Sequence, residues 1–388
     1  MSDRSTKRES GFSLLEMVVA MSLGTLVLGA AVQIYSQGVA ATWTVTQRAE
    51  MQQDFRAASN MLTRDLNLAG AGLTPPGAAI QLPTSATLPV YGCSEATGTP
   101  CYLGTTNAVA ATYPVQGTTP YLYGLLPGYD GGPTLNGMQT DVVTVVYTDP
   151  LFFLDCYQAT VSSSTTVTFA LTVASQASAN CTANGATIQA INDSAVGLTP
   201  GDLVLFTFGT TSVVAEIYGS ATTATVATFG TGDVLKMNQA AAAAKSLASI
   251  TTGTVGTGTR IQVITYYIDK TVTPSRLMRQ LSGHPPMPVA ENVVYMKFTY
   301  DLFNNASTPP APAVGCQNPG ANTDVCVSGS SSGLLPNQIT KINIVHMAMN
   351  STLKGTQFGQ GKGYQGLDLE TSVSARDLTY NNLYPLGP

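Results

Sequence analysis

The chain has 388 residues, with 17 lysines and arginines against 22 aspartates and glutamates, so its formal net charge is −5. Only 10% of the residues are charged, against roughly 25% in typical soluble domains, while 44% are hydrophobic. This composition excludes, for most of the chain, the disorder that comes from low hydropathy and high net charge. The acidic balance, with no cluster of basic residues after Leu73, also argues against a nucleic-acid partner. We therefore expect an extracytoplasmic, β-rich protein.

The first elements in the chain are a short polar N-terminus and a long apolar stretch. Arg4, Lys7 and Arg8 give the N-terminus a net positive charge, and Glu16 is the one charged residue between residue 10 and Gln47. About 20 apolar residues suffice to cross a bilayer as a helix. Basic residues on the N-terminal flank predict that this end stays in the cytoplasm and that the remainder is exported.

Glu16 bears on three interpretations of this apolar segment. A secretory signal peptide would need a small-residue cleavage site, which could be placed near Ala30 and Ala31, but an acidic residue inside the apolar region argues against this class. A plain signal anchor accommodates the segment but gives no reason for the carboxylate. An intramembrane carboxylate is costly, so it indicates a functional site with a partner. Because the segment contains no lysine or arginine, we expect the partner to come from elsewhere.

The run Gly11-Phe-Ser-Leu-Leu-Glu16 resembles the class III signal of type IV pilins and type II secretion pseudopilins. The resemblance implies that a prepilin peptidase cleaves between Gly11 and Phe12 and methylates the new N-terminal Phe12. It implies that the apolar helix is retained and that Glu16 pairs with the N-terminal amine of a neighbouring subunit. It also implies a single-pass inner-membrane protein, with its N-terminus cytoplasmic and its remainder periplasmic, that later joins a pilus at the cell surface.

An amphipathic stripe extends the helix beyond the apolar segment. Apolar residues recur at steps of three and four over residues 51–69, and the charged residues of this region, Asp65 among them, are placed largely off the stripe. Gly70 and Gly72, followed by two prolines, predict the end of the helix. We therefore predict one helix over about residues 13–69.

The remainder of the chain has the pattern of β-structure with long loops. Runs of β-branched and aromatic residues, separated by Gly, Pro and Asn, predict strands at residues 141–147, 165–173, 202–208, 213–218, 261–268, 293–300, 339–349 and 367–373. An alanine-rich region at 239–247 could form a short helix, and the Thr- and Gly-rich residues 251–259 are interpreted as a surface excursion. The expected fold is α+β and pilin-like. It consists of a leader at 1–11, a spine helix at 12–72 and a large β-rich head at 73–388 with long loops and insertions. The spine helix is expected to be transmembrane in its first half and amphipathic in its second.

Several motifs of the head resemble PilW-type minor pilins in their order along the chain. They lie at residues 60–70, 201–204, 266–268, 277–279, 293–300, 339–344 and 369–377. Residues 84–137 and 150–200 match no such motif and are interpreted as insertions. The resemblance implies a minor pilin that primes pilus assembly through helix contacts with other minor and major pilins. Two alternatives remain: a J-type pseudopilin of type II secretion, whose head is usually smaller, and a membrane-anchored binding or adhesive module.

Six cysteines, all in the part predicted to be exported, indicate disulfides. The favoured framework pairs sequence neighbours: Cys93–Cys101, Cys156–Cys181 and Cys316–Cys326. Sequence alone allows fifteen connectivities. A zinc site is disfavoured because no C-x2-C pair occurs and the chain has only two histidines.

No motif indicates catalysis. His284 lies in a loop and His346 in a strand-like run, and neither has a nucleophile motif beside it. Both are interpreted as structural or surface residues. We therefore expect a structural subunit that is not an enzyme and has no cofactor or metal.

Overall fold

The structure is a computed structural model, and it describes residues 11–73, 79–83, 115–116, 119–173, 189–218, 223–233, 237–238, 245–304, 311–319, 324–330, 333–351 and 366–378. Within these ranges, one long apolar N-terminal helix is followed by a large antiparallel β-sheet region. The fold is α+β with a pilin-like architecture, as the sequence predicts. The helix up to Gln52 belongs to one compact unit, and the described residues from Gln53 to Asn350 belong to another.

Helix α1 spans Leu14–Asn67, about 80 Å at a rise of 1.5 Å per residue. Its bounds lie within two residues of the predicted 13–69. All six apolar residues of the predicted stripe are buried: Met51, Phe55, Ala58, Leu62, Leu66 and Ala69. After the helix, Gly70 and Gly72 adopt φ angles of 80° and 70°, a left-handed conformation that glycine reaches without a steric penalty. These two glycines therefore turn the chain away from the helix axis.

The described strands, in chain order, are β1 (Ile80–Gln81), β2 (Val115–Gln116), β3 (Thr119–Leu122), β4 (Leu125–Gly128), β5 (Thr134–Leu135), β6 (Met138–Gln139), β7 (Val142–Thr148), β8 (Tyr157–Ser163), β9 (Thr166–Val173), β10 (Leu203–Phe208), β11 (Thr211–Glu216), β12 (Val226–Thr228), β13 (Val255–Asp269), β14 (Arg276–Leu281), β15 (Met287–Glu291), β16 (Val293–Asn304), β17 (Ala311–Cys316), β18 (Ile339–Asn350) and β19 (Gly366–Ser374). Short 3-10 helices lie at Leu154–Cys156, Leu247–Ser249 and Pro336–Gln338. Each of the eight predicted strand runs lies in or overlaps one of these strands, so those predictions are confirmed.

Most of the strands join one large sheet around β13. Its main path is β11-β10-β13-β8-β9-β12. Strands β7 and β14 also pair with β13, and they pair in turn with β4 and β15, respectively. A second sheet has the order β17-β16-β18-β19, and smaller ones have the order β1-β3-β2 and the pair β5-β6. The 15-residue strand β13 serves four partners because different parts of its length pair with β8, β10, β7 and β14.

The interpretation of residues 251–259 as a surface excursion is wrong from Val255 onward, where β13 begins. Val255 pairs with Thr160 of β8, and the following residues pair with β10. The glycines of this segment allow close approach of aromatic rings: a Cβ on Gly258 would lie 3.0 Å from the ring of Phe206. The Thr- and Gly-rich composition therefore reflects a tightly packed strand. The alanine-rich region falls mostly outside the described residues, apart from the 3-10 turn that begins at Leu247.

Two clusters of buried apolar side chains lie within the part of the β region that the structure describes. In the first, the rings of Tyr157, Phe169, Phe206 and Phe229 follow one another at centroid distances of 6.3, 6.1 and 5.3 Å. Offset and edge-on pairs of this kind add to the free energy of apolar burial. The second cluster lies beside the start of the β region and joins Leu73, Leu122, Tyr123, Val146, Ile261 and their neighbours.

Asp65 is a buried charged residue near the C-terminal end of α1, only 3% exposed. Its carboxylate accepts hydrogen bonds from the Tyr266 hydroxyl at 2.7 Å, from Nε of Arg279 at 2.8 Å and from the Tyr147 hydroxyl at 3.3 Å. Its placement off the apolar stripe is therefore wrong. Asp65 follows Leu62 by three residues, which puts the two side chains on the same helix face. The contacts tie the end of α1 to strands β7, β13 and β14.

The surroundings of Asp65 shift the protonation equilibria of its partners. Burial raises the pKa of the Tyr266 and Tyr147 hydroxyls above their ordinary value of 10.0, and the Asp65 charge raises both further. For Arg279, burial acts to lower the pKa, but the hydrogen bond and charge of Asp65 outweigh it and the pKa is raised. Both phenols therefore remain neutral donors and the guanidinium remains charged around the carboxylate.

We expect the folded protein to lose stability as the pH rises above about 10. In the unfolded chain the phenols ionise near their ordinary value of 10.0, whereas the buried Tyr266 and Tyr147 keep their protons to higher pH. The unfolded state then binds fewer protons than the folded state, so the free energy of unfolding falls with rising pH. Tyr266→Phe removes one of these phenols. The slope of the free energy of unfolding against pH should then become less steep by about one proton, which is about 1.4 kcal/mol per pH unit.

Denaturant unfolding of the full chain in detergent, measured over a pH series, tests this expectation. The control is the interval of about pH 7 to 9, where phenols stay protonated in both states and the slopes of wild type and Tyr266→Phe should agree. An identical slope for the two proteins above pH 10 would contradict a proton held by the buried Tyr266 hydroxyl.

Candidate functional site

The chain around the predicted cleavage point precedes the helix. Gly11, Phe12 and Ser13 are exposed and non-helical, and the Phe12 side chain is 88% exposed. The first helical hydrogen bond described runs from the Met17 amide to the Ser13 carbonyl at 3.2 Å. The peptide bond between Gly11 and Phe12 therefore lies just outside α1.

Ser13 and Glu16 form a reciprocal cap at the start of α1. The Glu16 amide donates to Ser13 Oγ at 3.2 Å, and the Ser13 amide donates to Glu16 Oε2 at 3.2 Å. This is a capping box, in which two amides that a helix start leaves without intrahelical acceptors bond to side chains. The Glu16 carboxylate also lies at the end of the helix dipole that favours negative charge. The two side chains together fix the helix start at Leu14.

The expectation that the Glu16 partner must come from outside the segment is too strict. A carboxylate can accept from a backbone amide as well as pair with a cation, and the structure supplies the backbone amide of Ser13. That contact gives the carboxylate a hydrogen bond but no countercharge, so pairing with the amine of a neighbouring subunit stays a prediction. Ser13 itself is missing from the sequence-predicted site. The pattern Ser-x-x-Glu before an apolar run is a capping-box signal that could have identified it.

The following helix surface is suited to an apolar environment. Over Leu14–Ile34 its large apolar side chains are exposed, and α1 contains a segment long and apolar enough to cross a membrane. The hydroxyls of Ser22, Thr25 and Ser36 each donate to a helix carbonyl at 2.9 Å, which satisfies them without water. Twenty residues of helix cover about 30 Å, the thickness of the hydrocarbon core.

Residues 6–32 match the family model described as prokaryotic N-terminal methylation motif. The chain carries a class III prepilin signal. Together with the long apolar helix and the antiparallel β region, this signal supports a type IV pilin-like or pseudopilin protein. No curated protein and no solved structure matches the chain. The prepilin signal implies processing by a prepilin peptidase, anchoring by the apolar helix and association with pilus components.

One of the three predicted disulfides is confirmed. Cys316, at the end of β17, is bonded to Cys326, ten residues later. Cys156 is also disulfide-bonded. Its predicted partner Cys181 lies outside the described residues, as do Cys93 and Cys101, so these two pairings stay predictions.

Within the described part of the chain, one group of side chains has the composition of a metal site: Cys316, Asp324 and Cys326. The two sulfurs are bonded to each other and cannot act as thiolate ligands, which zinc requires from cysteine. The Asp324 carboxylate instead accepts backbone amides from Gln317 at 3.0 Å and Asn318 at 2.5 Å. The group therefore holds the loop after β17 in shape and is not a zinc site.

Both histidines pair with carboxylates inside the β region. His284 lies in the turn that follows β14, and its Nε2 is 2.9 Å from Oδ1 of Asp202. Nδ1 of His346, on β18, lies 2.6 Å from the Asp368 carboxylate on β19, and its ring packs edge-on against Tyr295 at 4.7 Å. These contacts join neighbouring elements, in agreement with the interpretation of both histidines as structural or surface residues.

Proposed function

We propose that the protein is a minor pilin of a type IV pilus, a structural subunit that helps prime filament assembly together with other minor pilins. The observation that carries the proposal is the arrangement at the start of α1. A non-helical Gly11-Phe12 bond stands directly before a capped helix whose apolar surface is exposed and whose one charged group in this segment is Glu16. A helix with this surface needs either lipid or the helices of other subunits around it.

Processing prepares the helix for transfer from lipid to filament. Hydrolysis of the Gly11–Phe12 bond adds the hydroxyl of water to the Gly11 carbonyl carbon and leaves Phe12 with a free amine. The leader that departs carries Arg4, Lys7 and Arg8, the cations that hold the N-terminal end on the cytoplasmic side. The mature helix therefore retains its apolar surface without its basic anchor.

Assembly then pairs the groups that processing exposes. A carboxylate in lipid is costly when it has no countercharge, and the Phe12 amine of a neighbouring subunit supplies one for Glu16. One helix offers only the Glu16 carboxylate at this level, and its neighbour offers only the Phe12 amine. Their pairing therefore fixes the axial position of one helix against the next. Ala20 and Gly24 lie on the exposed apolar segment and allow neighbouring helices to approach closely.

The large β region supports the choice of a pilus over a secretion pseudopilus, whose J-type subunit usually has a smaller head. The buried carboxylates of Asp65, near the end of α1, and of Asp202, before β10, are both held in structural contacts. This arrangement supports a structural subunit with no reaction of its own. Contacts of the head with other minor pilins would then determine its place in the priming complex.

Deletion of the gene in its own cells tests the assignment. We expect loss of surface pili, measured by electron microscopy and by shearing, with normal exoprotein secretion and full recovery from a plasmid copy. Loss of secretion with intact pili would assign the protein to a type II secretion machine as the J-type pseudopilin. Normal pili and normal secretion, with residues 1–11 retained in the protein, would favour the membrane-anchored adhesive module.

A further inference from the structure

The cap of α1 lies one residue beyond the bond that the proposed function requires to be cut. Ser13 is the N-cap residue, and the bond between Gly11 and Phe12 precedes it. Ser13 Oγ holds the amide of Glu16, and Glu16 Oε2 holds the amide of Ser13. The conformation of the cleavage point is therefore coupled to two side chains that follow it.

We propose that Ser13 is a positioning residue for prepilin processing: by capping α1 at Leu14, it keeps the Gly11–Phe12 bond out of the helix and open to the peptidase. The proposal rests on the proposed function in one respect, that Gly11–Phe12 is the bond hydrolysed. It goes further in assigning a role to a side chain that takes no part in the filament charge pair.

The physical reason is the hydrogen-bond pattern of a helix that loses its cap. A helical amide bonds to the carbonyl four residues before it. Without Ser13 Oγ, the Glu16 amide gains an acceptor if the helix winds back to Phe12, and the Leu15 amide gains one at Gly11. The Gly11 carbonyl is the group that the water must attack. An apolar environment favours this winding, because amides without acceptors are costly there.

The cap and the charge of Glu16 can be separated by substitution. Glutamine can take the third position of a capping box as glutamate does, so Glu16→Gln keeps the reciprocal cap and removes the charge. Ser13→Ala removes the acceptor for the Glu16 amide and leaves the charge in place. Threonine and asparagine are competent N-cap residues, so Ser13→Thr and Ser13→Asn should restore the helix start.

The experiment follows cleavage of the full-length chain in detergent micelles by purified prepilin peptidase, with the cleaved fraction read from intact masses. We expect Ser13→Ala to slow the initial rate about fivefold, the population change that the loss of a typical N-cap produces. Ser13→Thr, Ser13→Asn and Glu16→Gln should be cleaved at close to the wild-type rate. Ser22→Ala is the matched control, since that hydroxyl only donates to the Val19 carbonyl within the same helix.

Two results would overturn the positioning role: a wild-type rate for Ser13→Ala, or equally slow cleavage of Ser13→Thr and Ser13→Asn, which would mean that the peptidase reads the serine itself. Failure of the wild-type chain to be cleaved at Gly11–Phe12 is a different result. It would overturn the proposed function before any variant is compared.

Discussion

Replacement of Arg279 by methionine should lower the free energy of unfolding by about 3–5 kcal/mol. Nε of Arg279 donates to Asp65 at 2.8 Å, and the two side chains are only 17% and 5% exposed. Without the guanidinium, the buried carboxylate keeps hydrogen bonds from two phenols but loses its countercharge. Removal of one member of a buried ion pair is costly for this reason, even where the intact pair adds little net stability.

The same strand offers a matched control for this substitution. Arg276, also on β14, pairs with Glu291 at 3.1 Å, but their side chains are 36% and 52% exposed. Arg276→Met should therefore cost only about 0–1 kcal/mol. Denaturant unfolding of the full chain in detergent measures both variants. A double variant, Asp65→Leu with Arg279→Met, should recover part of the loss because no buried charge remains. Equal losses for the two single arginine variants would contradict the buried ion pair.

Glu16→Gln should reduce incorporation into pili at least about 30-fold, because truncation of one member of a desolvated charge pair costs about 2 kcal/mol or more. The substitution keeps the shape of the side chain and its place in the capping box, so the loss reports the missing charge. Incorporation is the ratio of protein in sheared pili to protein in membranes, measured by immunoblot.

Glu50→Gln is the control for this experiment. Glu50 is exposed on the same helix, but it lies beyond the apolar segment and outside the cap. Its variant should be incorporated at the wild-type level. The N-terminal mass of Glu16→Gln should show normal removal of the leader. Correct processing together with wild-type incorporation would contradict the pairing of Glu16 with the amine of a neighbouring subunit.

The elements of the fold that the sequence predicts well are those with a local cause. The long uncharged run and the three- and four-residue stripe predict α1 to within two residues at each end, and runs of β-branched residues predict eight strands. The first half of β13 escapes this reasoning because its composition is Thr- and Gly-rich. Glycine is required there because the aromatic rings of β10 approach the backbone closely. No pattern in the local sequence reveals that contact.

The two charged positions that matter most differ in how far sequence reasoning can reach. Asp65 is buried because of Tyr266 and Arg279, which follow it by 201 and 214 residues, so only the three-dimensional structure explains a carboxylate at that place. The partner of Glu16 at the helix start is three residues away. The Ser-x-x-Glu pattern marks this partner in the sequence, whereas opposite charge alone does not reveal it.

The mass of the mature N-terminus, determined on protein isolated from its own cells, tests the central claim most directly. We expect a chain that begins at methylated Phe12 and lacks residues 1–11. That result would establish processing as a pilin or pseudopilin and would make Glu16 the fifth residue of the mature chain. An intact Met1, or cleavage near Ala31, would contradict the filament subunit and leave the β region as an anchored or secreted binding domain.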